Sequence, residues 1–378
     1  MPVPEQSTVS NSLVGNLTQR LMKFEPWRAG RGALIIYVLV IIYASLNPFI
    51  GWRAPESFTL FSWPRYITAF DIVLNVLAYI PLGALVAAIW RQHVGRGAQP
   101  QLAGWAWSIA LAIGIALSGV LEVVQSMLPG RVSSLLDWLT NIGGTMLGAV
   151  AVTSAPGRAV LARLNFWRYQ VFAPGSQTGW GLLLLALWGF AQLNPAIPFF
   201  EAGSVVSHAA TDVRVPSYDP LYLLPQAVGI AFNVCGFGLM ISLVLAPAQR
   251  AWLIVAMVLL LGFVAKITMA ALMLKAPQLI TWMGPGTVIG LTGGFLLATL
   301  FFAWTYRWRA LAATLFVFAG GVMAKMSSVY AAFGETLRLF NWPYGHLVSF
   351  AGITQWVHEV WPLAAFIFLA AVFVRQRR

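Results

Sequence analysis

Charge is what this sequence has least of. Only 9% of its 378 residues are Asp, Glu, Lys or Arg, while 59% are hydrophobic. A soluble domain carries about a quarter charged residues, so a soluble globular fold is excluded. There is one cysteine, Cys235, which rules out an internal disulfide and any zinc site built from cysteines. Acid is scarcer than base: 11 Asp and Glu face 23 Lys and Arg, for a net charge of +12. That excess does not suggest nucleic-acid binding, because the basic residues fall in short segments between apolar runs, with no basic, aromatic-interleaved soluble domain. There is no Gly-rich phosphate loop and no nucleophile elbow. His208 between Glu201 and Asp212, and His346 and His358 with Glu359, lack ligand spacing, so no metal or cofactor is expected.

The sequence is rich in apolar runs of bilayer length. They predict helices near 32–50, 69–90, 102–128, 135–153, 179–197, 221–246, 251–274, 284–304, 308–330 and 352–374. The expected fold is all-α, a polytopic transmembrane bundle of about ten helices. Its expected parts are a cytoplasmic segment 1–31, a four-helix domain 32–153, a cytoplasmic linker 154–178, a second four-helix unit 179–304, and a region 305–378 with two more helices and a basic tail. In the leader, Leu13, Leu17, Leu21 and Phe24 recur at helical spacing beside Arg20 and Lys23, as in a surface-lying helix or a loose tail. No ordinary cleavable signal peptide precedes the first apolar run.

With the N-terminus placed inside, 15 basic residues lie in inner segments and 6 in outer ones. The positive-inside bias therefore predicts both termini in the cytoplasm. The second half reads as a degenerate, parallel copy of the first. Gln192-Leu193-Asn194-Pro195 echoes Ser45-Leu46-Asn47-Pro48, Phe232-Asn233-Val234 echoes Leu74-Asn75-Val76, and Leu291-Thr292-Gly293-Gly294 echoes Asn141-Ile142-Gly143-Gly144. In this alignment Gly229, Lys266, Met269 and Thr287 replace Asp71, Glu122, Gln125 and Asp137.

Residues 71–148 carry polar side chains that the rest of the chain avoids. Asp71 and Asn75, Glu122 and Gln125, and Asp137 and Asn141 are paired at spacings of three or four, which puts each pair on one helix face. Such residues are costly in a bilayer and normally face a cavity or a partner. The alternating topology brings all of them, with Arg131 in the turn between, to the outer half of the membrane; Glu122 lies roughly 10 Å below that turn. Glu122 in apolar surroundings is a candidate proton donor or ligand, or else one half of a helix-pairing ion pair with Arg131 or Lys266. Asp71 and Asp137 each open a helix and serve equally well as caps. Asn75, Gln125 and Asn141 can bond between helices. Gly143, Gly144 and Gly148 suit close packing, and Pro81 suits a kink whose freed carbonyl needs a local partner. Arg131 beside carboxylates suits a clamp on a phosphate or carboxylate.

Asp71, Asn75, Pro81, Gly83, Glu122, Gln125, Arg131, Asp137, Asn141, Gly144 and Gly148 follow one another in an order that resembles the VanZ-like family of membrane proteins. The resemblance covers roughly residues 33–152, with Ser45 to Pro48 at the end of the family's first helix. It implies a multi-pass protein of the bacterial inner membrane and a role in the cell envelope linked to glycopeptide (teicoplanin) resistance. It does not imply a reaction. Three functions are compatible with the residues. One is binding of a membrane lipid or a polyprenyl-phosphate-linked cell-wall or polysaccharide precursor at the outer leaflet through Asp71, Asn75, Glu122, Gln125, Arg131, Asp137 and Asn141. The others are intramembrane acid–base catalysis by Glu122 and Asp137, and transport or flipping between the repeats. The oligomeric state is left open.

Overall fold

The computed structural model describes residues 28–47, 49–54, 63, 69–94, 104–128, 133–194, 197, 199–200, 220–273, 283–328 and 345–375. The leader, Arg131, His208, Glu201 and Asp212 lie outside the described residues. Among the described residues eleven helices follow one another: α1 (Arg28–Leu46), α2 (Ala69–Val94), α3 (Ala106–Gln125), α4 (Leu135–Thr153), α5 (Ala155–Val171), α6 (Ser176–Ala191), α7 (Pro220–Val244), α8 (Ala251–Met273), α9 (Pro285–Phe302), α10 (Tyr306–Ser328) and α11 (Gly345–Arg375). Among the described residues seven helices, namely α2, α3, α4, α7, α8, α9 and α11, are long and apolar enough to cross a bilayer. Large apolar side chains such as Val73, Leu77, Val120, Leu260, Leu261, Leu300 and Ile367 are exposed on them. That is costly in water and ordinary in lipid. The chain is a polytopic α-helical membrane protein.

The predicted helices are all present, most with ends shifted by a few residues. The difference is α5, which fills most of the segment expected as a linker. Ser154 accepts from the Gly157 amide at its start, and Pro156 sits in the first turn, where its missing N–H costs nothing. None of its residues is buried, and Val160, Leu164, Phe166 and Trp167 stand exposed between arginines 158, 163 and 168. Its sequence is too polar for a span, and the basic-plus-aromatic mixture suits a helix lying at an interface.

Two hydrophobic cores organise the rest. The first joins α1 to α4 around Tyr79, Leu82, Ala106, Ala110 and Leu121. The second joins α6 to α11 around Trp188, Phe199, Phe200 and Phe237, with α7 in the middle. In the first core α2 and α4 touch backbone to backbone. A Cβ at Gly83 would collide with the Thr145 carbonyl, one at Gly144 with the Val76 carbonyl, and one at Gly148 with the Ile80 carbonyl. Small residues permit this approach, which lets dispersion hold helices together where lipid supplies no hydrophobic drive. Pro81 removes the helical bond to the Leu77 carbonyl, and the Tyr37 hydroxyl of α1 donates to the neighbouring Ala78 carbonyl at 2.7 Å. The two bundles meet where Gly32 of α1 seats against the Trp180 ring of α6, and where Gly352 of α11 seats against the Tyr43 hydroxyl.

Candidate functional site

The polar residues of α2, α3 and α4 converge at one end of the first bundle. The local reason is helix register: each flagged residue has a second polar residue one turn away on the same face. On α2, Asp71 stands in the first turn, and Asn75 and Tyr79 follow at intervals of four. On α3, Ser118 precedes Glu122 by four. On α4, Asp137, Asn141 and Thr145 repeat the interval. Ser118, Tyr79 and Thr145 were not singled out from the sequence, although the same four-residue spacing was available to find them.

Asn75 donates through Nδ2 to Asp137 Oδ1 at 2.8 Å, which ties α2 to α4. Glu122 is buried, 3% exposed, and its Oε2 accepts from the Ser134 amide at 2.9 Å. The Ser133 hydroxyl lies beside it, and the Asp137 carboxylate lies close enough for its charge to act on Glu122. Ser134 is the N-cap of α4 and accepts from the Asp137 amide at 3.3 Å. One carboxylate thus holds the entry to α4 from the neighbouring helix while a hydroxyl caps the helix from within. Deeper down, Asn141 donates through Nδ2 to Ser118 Oγ at 2.9 Å, and the Tyr79 hydroxyl lies beside Ser118. The other amide atom, Asn141 Oδ1, is buried without a hydrogen-bond partner. Thr145 closes the floor, its hydroxyl donating to the Asn141 carbonyl at 2.9 Å and filling the space over Gly114 of α3.

The structure therefore brings Asn75, Glu122, Asp137 and Asn141 into one cluster, with Asp71 one turn from Asn75. Gln125 belongs to a different contact: its Nε2 donates to the Ser45 carbonyl at the end of α1 at 2.9 Å. Lys266 is not the partner of Glu122. Its ammonium is buried in the second bundle and donates to the carbonyls of Asn194, at 3.1 Å, and Ile197. The reason is topological: α8 packs against α7 and α9, not against α3.

The cluster is rich in acceptors. A carboxylate has about four lone-pair sites, and two carboxylates this close repel unless a hydrogen-bond donor or a cation lies between them. On the outward face of α3, away from the cluster, an apolar groove of about 370 Å³ is lined by Ile115, Ala116, Gly119, Val120, Val123 and Val124. The Trp138 indole borders it, approaching Gly119 and donating to the Ile115 carbonyl at 3.2 Å. Its upper residues flank Glu122 in sequence, so polar cluster and apolar groove lie at the same depth on opposite faces of one helix.

Residues 23–155 match the model of the VanZ/LLP1 family. The match takes in α1 to α4 and the whole of the cluster. Searches of curated proteins and of solved structures gave no match.

Proposed function

Taking the first bundle as a VanZ-like domain, we propose that this membrane protein binds the headgroup of an amphipathic envelope lipid at the Glu122–Asp137 end. The observation that carries the reading is the buried Glu122 carboxylate with the half-buried Asp137 carboxylate close by and, deeper in the cluster, Asn141 Oδ1 without a hydrogen-bond partner. Acceptors gathered in this way recognise donors, which means hydroxyl or ammonium groups on a headgroup. The α3 groove supplies apolar surface for a chain at the same depth. Arg131, between α3 and α4 in the sequence, would supply a cation for a phosphate. A polyprenyl-phosphate-linked sugar, as carried by cell-wall and polysaccharide precursors, combines these features, and sequestering or presenting such a lipid would alter sensitivity to lipophilic glycopeptides such as teicoplanin. The charge bias supports reading this end as the outer side of the inner membrane, with both termini in the cytoplasm. Transport is disfavoured, because α2 and α4 close on each other through Gly83, Gly144 and Gly148 just below the cluster.

The test is to purify wild type and the Glu122→Gln/Arg131→Ala variant in native lipid and to identify co-purified lipids by mass spectrometry. Enrichment of one polyprenyl-phosphate or glycolipid species in wild type, lost in the variant, is the expected result. Equal lipid profiles would remove the binding role. The closeness of Glu122 and Asp137 favours a second reading, acid–base chemistry on the same lipid. Glu122→Gln separates the two, because an amide still accepts from Ser134 but transfers no proton.

A further inference from the structure

The second bundle has a cavity of its own, at the end away from the Glu122 cluster. It occupies about 710 Å³ where the connections after α5 and α7 meet the start of α10 and the end of α11. Two guanidinium groups line it, Arg309 from the first turn of α10 and Arg375 from the last turn of α11. No carboxylate lies among its lining residues. The rim is fixed: the Ala173 amide donates to the Val244 carbonyl and the Ala246 amide to the Val171 carbonyl, both at 2.9 Å. Gln249 donates to the Gln170 carbonyl at 2.8 Å and locks the same edge.

Arg309 does not spend its donors on this frame. Its Nη1 reaches the Ser242 carbonyl only at 3.4 Å, its Cζ stands 5.9 Å from the centre of the Tyr306 ring, and its Nε is buried with no hydrogen-bond partner. A guanidinium is the most directional donor a protein has, and its fork matches two oxygens of one oxyanion. The start of α6 adds to this. Gly175, at φ 125, is the N-cap and offers no side chain, so Ser176, Gln177 and Thr178 bring uncapped first-turn amides to the cavity wall. Arg168 near the end of α5, Arg250 just before α8 and Arg307 in the first turn of α10 raise the positive potential around it.

We propose that this cavity is a phosphate site, in which Arg309 and Arg375 clamp a phosphate monoester or diester over the α6 N-terminus. The phosphate can come from an anionic lipid headgroup or from a soluble phosphate, and the site is independent of the one proposed for the VanZ-like bundle. The full chain, purified in a phosphate-free maltoside detergent, is titrated with inorganic phosphate and separately with short-chain phosphatidylglycerol, against chloride at matched ionic strength, while thermal unfolding is followed. Wild type is expected to melt at a higher temperature with at least one titrant. Arg309→Gln and Arg375→Gln are each expected to weaken that response about tenfold or more in apparent Kd, the loss of one charge-assisted fork. Arg31→Gln, on α1, should leave the response unchanged. A shift with phosphatidylglycerol alone identifies a lipid site, and a shift with inorganic phosphate identifies a soluble ligand. If neither titrant exceeds chloride, or if both arginine variants respond like wild type, the proposal is overturned. Should Arg309→Gln fail to fold, Arg375→Gln, an exposed residue on the last turn of α11, decides alone.

Discussion

In the first bundle, the third helix holds the end of the first helix through Gln125 on the Ser45 carbonyl; in the second, Lys266 does the same through the carbonyls of Asn194 and Ile197. The glycine seams run parallel as well. α4 lies on α2 over Gly144 and Gly148, and α9 lies on α7 over Gly290 and Gly294, where a Cβ would crowd the Ala227 and Ala231 carbonyls. The stretch after each first helix also holds a phenylalanine with positive φ, Phe49 three residues after α1 and Phe200 nine residues after α6, although the two are not aligned positions. We read these likenesses as the remains of one duplicated four-helix unit.

The differences are concentrated where the first bundle keeps its acids. Asn75 faces Asp137, whereas Asn233 is turned to the Phe200 carbonyl and pressed against Gly320 of α10. The Glu122 position holds a lysine already occupied by backbone carbonyls. α10 and α11 also pack over the second unit, so that Cys235 and Gly236 of α7 are buried, while Leu77 and Ala78, their counterparts in the alignment, remain exposed on α2. At this end the second unit is filled by an aromatic core, its cavity lying at the opposite end, while the first has kept an acceptor-rich end and an open lateral face. That contrast is why the headgroup site is proposed for the first bundle.

The comparison can be broken most severely at the seams. Gly148→Leu should destabilise by about 3 kcal/mol or more, because backbone rather than a flexible side chain must give way. Gly143→Ala and Gly293→Ala, both with open space at the added Cβ, should melt within about 0.5 kcal/mol of wild type. Thermal unfolding in detergent reads both, and an unperturbed Gly148→Leu would mean that the α2–α4 contact is looser than described. Next in size is Lys266→Met, which strips a donor from two carbonyls in a dry interior and should cost about 2–3 kcal/mol. Gln125→Leu, at a half-buried and less demanding contact, should cost about 1 kcal/mol. A reversed order would show that the two residues do not play parallel parts. Smaller than either is the effect expected for Ser118→Ala, about 0.6 kcal/mol, the average worth of an interhelical hydrogen bond within a membrane.

Much of the fold was legible because membrane helices announce themselves by length and hydropathy, and α4 appears at its predicted ends. α5 was not, because an interface helix has neither a long apolar run nor a soluble heptad, and arginine-rich sequence reads equally well as linker. At the site, spacing identified Asn75, Asp137, Glu122 and Asn141. It could not tell that Gln125 turns to α1 or that Lys266 serves carbonyls of its own bundle, because both depend on which helices are neighbours rather than on which residues share a face. Ser118 and Tyr79 escaped notice because hydroxyls cost too little in a bilayer to stand out.

The most direct measurement is equilibrium binding of a polyprenyl phosphate and its glycosylated form to the purified full chain in nanodiscs, comparing Glu122→Gln/Asp137→Asn with Lys266→Met. The double variant should bind the glycosylated lipid about tenfold to a hundredfold more weakly, the loss of one or two charge-assisted hydrogen bonds, while Lys266→Met binds like wild type. Equal affinity in wild type and the double variant would contradict the assignment, leaving the acids of the first bundle with helix pairing as their whole role.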